Sequence, residues 1–128
     1  MEISELHKHM VQTAREVRLI PKNDRATLDQ QWQQFFGRPM RDRRGHLTGS
    51  WVEKGAIELY RAERPDEFLV LPYDWKYPAL RCRGGILPEF GFDGVCITPT
   101  DLGWAMVFAT CDLEGGPYFA RRESHASA

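Results

Sequence analysis

The sequence predicts an α+β fold: two or three N-terminal helices packed on one face of a four- or five-stranded antiparallel sheet. Three observations lead there. Apolar residues recur every three or four positions in the first half of the chain, the period of a helix with one buried face. The second half breaks into short apolar or alternating runs bounded by glycine and proline, the mark of strands and turns. Helices first and strands later favour a segregated layout over an alternating one. At 128 residues, the length is that of one domain with a real core. The expected division is a single α+β domain over residues 1–122 and a flexible tail over 123–128.

The elements follow in order. Ile3, Leu6, Met10, Ala14 and Val17 make one stripe, so a helix is expected over 3–18, ended by Leu19-Ile20-Pro21. Thr27-Leu28-Asp29-Gln30 reads as a capping box, with an earlier start at Asn23 or Asp24 as the other option. Leu28, Trp32, Phe35 and Phe36 supply that helix's apolar stripe, and Gly37 with Pro39 stops it. The arginine-rich stretch 38–49 reads as a loop. Ser50-Trp51-Val52-Glu53 reads as a second capping box opening a third helix, with Val52, Ala56, Leu59 and Tyr60 inward.

Phe68-Leu69-Val70-Leu71 is a buried strand. Residues 72–94 hold prolines, glycines and spaced aromatics without a period, with a weak strand at Ala79–Cys82. Loops of this length are often functional. The segment Val95 to Phe119 predicts a three-strand antiparallel meander: Val95-Cys96-Ile97, then Trp104 to Cys111, then Pro117 to Ala120. In the middle strand Trp104, Met106, Phe108 and Thr110 share a bulky face. Ala105, Val107, Ala109 and Cys111 share a small one. The helices are expected on the bulky side.

Composition excludes several classes. Without a run of about 18 apolar residues there is no membrane span. The start, Met1-Glu2-Ile3-Ser4-Glu5, lacks the basic and apolar blocks of a secretion signal. Three widely spaced cysteines, Cys82, Cys96 and Cys111, form no C-x-x-C pair and read as reduced thiols. A cytoplasmic protein is expected. Net charge is −1, divided as +3 over residues 1–64 (12 basic against 9 acidic) and −4 over 65–128 (5 against 9). An acidic C-terminal half would steer a basic partner.

No catalytic constellation emerges, and no cofactor or metal site is expected. His7 and His9 lie two apart on a helix and point about 200° apart, so they cannot share a metal. The residues that stand out are aromatics interleaved with carboxylates, the makeup of a protein-binding hot spot. The expected partner surface comprises Tyr73, Asp74, Trp75, Tyr77, Glu89, Phe90, Phe92 and Asp93 from the long loop, with Asp101, Asp112 and Glu114 from the meander's turns. Two alternatives are open. Arg38, Arg41, Arg43 and Arg44 could hold nucleic-acid phosphates, and Asp93, Asp101 and Asp112 could serve a small carboxylate-based hydrolase.

The stretch Asp101-Leu102-Gly103-Trp104-Ala105-Met106-Val107-Phe108, followed by Gly116-Pro117-Tyr118-Phe119, resembles the ending of small bacterial α+β proteins of uncharacterised function. Several of these look like immunity proteins of toxin–immunity systems. Relatives often carry Thr-His-Glu after the Trp strand, where this chain reads Ala109-Thr110-Cys111-Asp112. The resemblance implies a non-enzymatic inhibitor that neutralises one cognate toxin by occluding its active site; the acidic turns add the expectation of a basic partner, such as a basic toxin or nuclease domain.

Overall fold

The computed structural model describes residues 1–91, 93–109 and 113–122. Three helices, α1 (Ile3–Thr13), α2 (Lys22–Phe35) and α3 (Ala56–Ala62), accompany six strands. These are β1 (Glu16–Leu19), β2 (Glu67–Pro72), β3 (Leu80–Arg83), β4 (Val95–Pro99), β5 (Trp104–Val107) and β6 (Tyr118–Arg121). The strands form one antiparallel sheet in the order β1-β3-β2-β4-β5-β6. The α+β class is the predicted one, with six strands where four or five were expected. The C-terminal meander is present as β4-β5-β6, with Ile97 opposite Met106 and Met106 opposite Phe119.

Because side chains alternate across a strand, the sheet carries two apolar faces. One presents Phe68, Val70, Leu80, Cys82, Val95, Ile97, Trp104, Met106 and Phe119. It is covered by Ile3, Leu6 and Met10 of α1 and by Ala56 and Tyr60 of α3. Burying side chains of this size contributes about 1.5–3 kcal/mol each. This is the bulky face of β5, and α1 and α3 lie where the helices were expected. The other face presents Leu69, Leu71, Ala105, Val107, Tyr118 and Ala120, and here α2 lies, through Trp32, Leu28 and Phe36. The one-face layout therefore holds for α1 and α3 but not for α2. Its small side chains, Ala105 and Ala120, leave the depth that an indole fills.

Several local expectations are corrected. The first helix ends at Thr13, not near 18, and the chain turns into β1. Glu16-Val17-Arg18-Leu19 alternates, and pairing with β3 (Val17 opposite Cys82) satisfies backbone groups that a longer helix would leave β3 without. Thr27 is no cap. It sits inside α2, which opens after Pro21, and its hydroxyl donates to the Asn23 carbonyl. Phe35, expected in the core, is 41% exposed and lies under the Arg122 guanidinium. The Ser50–Glu53 capping box does not form. The Ser50 hydroxyl donates to the Arg121 carbonyl, and Val52 exchanges two backbone hydrogen bonds with Phe119, of 2.8 and 2.9 Å. The helix begins only at Ala56, after Gly55 at φ 78°, a left-handed conformation that glycine adopts without strain.

Among the described residues no helix is long and apolar enough to cross a membrane. The expected tail over 123–128 lies outside the described residues.

Candidate binding site

Arg25 organises the most distinctive surface. It occupies the position on α2 one turn before Leu28 and Asp29 and two before Trp32, so it points at the sheet. Its side chain is 3% exposed. A buried guanidinium must meet acceptors, and this one donates to the carbonyls of Pro72 and Tyr77, the latter at 3.1 Å. Burial lowers its pKa, while Asp29 and Asp74 act in the opposite sense. The same guanidinium lies 4.3 Å from the centroid of the Trp75 ring, a cation–π contact.

The consequence is a fixed turn. Both ends of the segment 72–77 are hydrogen-bonded to one side chain. Inside it the Tyr77 amide donates to the Asp74 carbonyl, and the Asp74 carboxylate accepts from the Lys76 amide. Tyr73 is anchored to the sheet by its amide, which donates to the Gly94 carbonyl at 2.8 Å. Tyr73 and Trp75 are nonetheless 41% and 42% exposed as residues. The Arg38 guanidinium stands 5.5 Å from the Tyr73 ring.

Beneath this ridge runs a cleft of about 160 Å³. Trp32, Asp29 and Gln33 line it from α2, Leu71, Val95, Cys96 and Val107 from the sheet, and Tyr73 and Trp75 from the turn. Trp32 is held in a triangle with Phe36 and Trp51, at centroid separations of 5.8, 5.8 and 6.0 Å. Desolvation raises the Asp29 carboxyl above its ordinary range, partly opposed by Arg25. Burial pushes the Cys96 thiol up to about 12, with the Trp32 N–H acting in the other direction. A thiol so far from ionisation is a poor nucleophile at neutral pH.

The remaining sequence-predicted residues divide. Tyr77 is partly buried and packs on the α1 side core. Phe90 is core outright, 7% exposed, edge-on to Phe108 at 5.7 Å. Its place on the expected partner surface is corrected accordingly, because burying the ring on the sheet outweighs leaving it on a loop. Glu89 forms a two-point pair with Arg61, at 2.9 and 3.0 Å, which holds its carboxyl below the ordinary range. The Asp93 carboxylate accepts the Ile3 amide at 2.8 Å, at the start of α1. Asp101 accepts the Gly103 amide in the β4–β5 turn, and the Glu114 backbone carbonyl accepts the Tyr118 hydroxyl. Phe92 and Asp112 lie outside the described residues.

The sheet register separates these groups. Phe68 pairs with Pro99 at one end and Pro72 with Val95 at the other. Tyr73, Asp93 and Glu114 follow the second end, whereas Asp101 follows the first. Asp93 and Asp101 are therefore not a pair that could share a proton or a substrate, and among the described residues no three His, Cys, Asp or Glu side chains gather as a metal site. The arginine loop is also dispersed. Arg41 donates to Glu53 at 2.9 Å, Asp42 caps the amides of Arg44 and His46, and Arg38 faces Tyr73.

Sequence reasoning passed over Arg25. Its signal was an arginine in step with the apolar stripe of α2, at positions 25, 28 or 29, and 32. Compared with family models, curated proteins and solved structures, the chain matches none.

Proposed function

We propose that this is a non-enzymatic protein-binding inhibitor of the immunity type, which docks through the Tyr73–Trp75 ridge and occludes the active site of a cognate toxin. One observation carries the reading: two large aromatic side chains stand about two-fifths exposed on a turn that a buried arginine holds in place. Aromatic anchors that lose little freedom on binding dominate protein interfaces. The C-terminal resemblance supplies the immunity class. Of the expected acidic residues, Glu89 and Asp93 are engaged within the fold, and Asp74, on the ridge itself, is paired locally with Lys76. Aromatic area and shape therefore carry recognition more than charge does.

The test uses the full chain as bait in extracts of its native cell, with Trp75→Ala and Tyr73→Ala baits alongside. A protein retained by the parent and weakened by each variant is expected, with a loss of at least about 1–2 kcal/mol per ring. Equal retention by all three baits removes the ridge from the interface. Retention of nucleic acid, lost as salt rises, would move the function to the arginine loop.

A further inference from the structure

Strand β1 leaves one row of backbone groups without a strand partner among the described residues. Its pairing with β3 shows which groups these are. The Ile20 amide donates to the Ala79 carbonyl at 2.9 Å, next to Leu19 opposite Leu80. Antiparallel pairs alternate between hydrogen-bonded and non-bonded. Arg18 and Glu16 therefore turn their backbone groups to β3, like Ile20, whereas Val17 and Leu19 turn theirs outward. Val17 is half-buried, and the other three residues of the strand are exposed. Glu16 and Arg18 share one face of β1, with Arg18 Nε 3.2 Å from Glu16 Oε1.

An edge strand is a template for a second strand, and this one is complementary to itself. In a two-fold antiparallel pair, outward residues must face outward residues. An axis at Glu16 or at Arg18 would set that charge against its own copy. An axis at Leu19 would bring Val17 against Pro21, beyond the strand. An axis at Val17 instead sets each Glu16 opposite Arg18 of the second copy.

We propose that β1 pairs with β1 of a second copy about an axis at Val17, giving a weak dimer with one continuous sheet. The two Val17 residues exchange N–H···O bonds. Glu16 and Arg18 meet at the non-bonded positions, where side chains stand closest. With the in-chain pair on each copy, four charges close into an alternating ring. The Tyr73–Trp75 ridge follows β2, two strands inward, so it stays open and each dimer carries two.

Sedimentation velocity of the full chain over a concentration series tests this. The parent is expected to be half dimer at about 0.1–1 mM, as a small interface gives. Glu16→Arg and Arg18→Glu each place like charges opposite one another and should weaken the dimer about tenfold. Mixed one to one, they should regain the parent's strength as a heterodimer, since each supplies the sign the other lacks. Both positions are exposed, so the fold should survive either change. Val17→Pro removes an outward donor that the β3 pairing does not use and should leave a monomer. A parent that stays monomeric well above that range overturns the inference. So does an Arg18→Glu or Val17→Pro chain that dimerises as tightly as the parent, or a mixture no tighter than its components. Partner capture reports on the ridge and is scored separately, so either idea can fail alone.

Discussion

Replacing Arg25 with methionine tests whether the aromatic turn is held from below. Methionine keeps most of the length and apolar contact but removes the charge and the donors. Two charge-assisted hydrogen bonds, to Pro72 and Tyr77, contribute about 1.5–3 kcal/mol each. The contact with Trp75 at 4.3 Å adds about 1 kcal/mol. Against these stands the desolvation of a buried guanidinium, several kcal/mol that the variant no longer carries. The net is a loss of about 2–3 kcal/mol, or roughly 8–12 °C in melting temperature at this chain length. The local effect should exceed the global one. Hydrogen exchange at the Lys76 and Tyr77 amides should quicken in Arg25→Met well before the sheet amides respond. Arg25→Lys, a point charge that reaches one carbonyl, should fall between. An Arg25→Met protein that melts within a degree or two of the parent, with unchanged exchange at 76 and 77, would refute the idea that this arginine positions the ridge.

Other outcomes follow from the same geometry. Burial raises the thiols of Cys82 and Cys96 from 9.0 to about 12. A folded-state pKa above the unfolded one means that stability is intact below pH 9 and lost as pH climbs toward 12, so urea midpoints should drop across that window and less steeply in Cys96→Ala. Glu53 accepts the Gly116 amide at 2.8 Å and pairs with Arg41, which lowers its pKa. Its contribution is therefore present at neutral pH and lost as pH falls through the carboxylate range. At a half-exposed site, Glu53→Gln should lose no more than about 1 kcal/mol at pH 7 in chemical denaturation, and nothing once the parent's carboxylate is protonated. Gly115 has φ 92°, and an added Cβ would lie 2.6 Å from a Glu53 oxygen. Gly115→Ala should destabilise by about 1–2 kcal/mol, with a smaller penalty in a Glu53→Ala background as measured by thermal melts.

Much of the scaffold is written in local pattern. The meander follows from alternation in Trp104–Val107 between turn residues, and the α1 stripe from the spacing of Ile3, Leu6 and Met10. Phe68–Leu71 reads as buried because β2 is central and covered on both faces. What failed to show is what distant residues decide. Val17 continues the helical period of α1, yet its partner is Cys82, and nothing near position 17 announces that strand. Ser50 and Glu53 match a capping signature, but their groups go to Arg121 and Gly116. At the candidate site, the loop aromatics were visible as a set while their division was not. Phe90 is buried because Phe108 and the sheet are there to receive it. Trp75 stays half-exposed because its turn is tied down by an arginine some fifty positions earlier in the chain.

The paired hydrogen bonds between Val52 and Phe119 reach beyond local structure. They close one margin of the sheet: Phe119 commits both its outward backbone groups to Val52, and the Arg121 carbonyl accepts from Ser50. The other margin, β1, has no such neighbour among the described residues. Strand addition to this molecule is thus one-sided. Two copies meeting at β1 would use up the open margin found among the described residues, which works against propagation into a fibre. The four-residue length of β1 weakens even that single step. A short detour of chain around Val52 thereby leaves β1 as the edge at which this sheet could be extended, among the described residues.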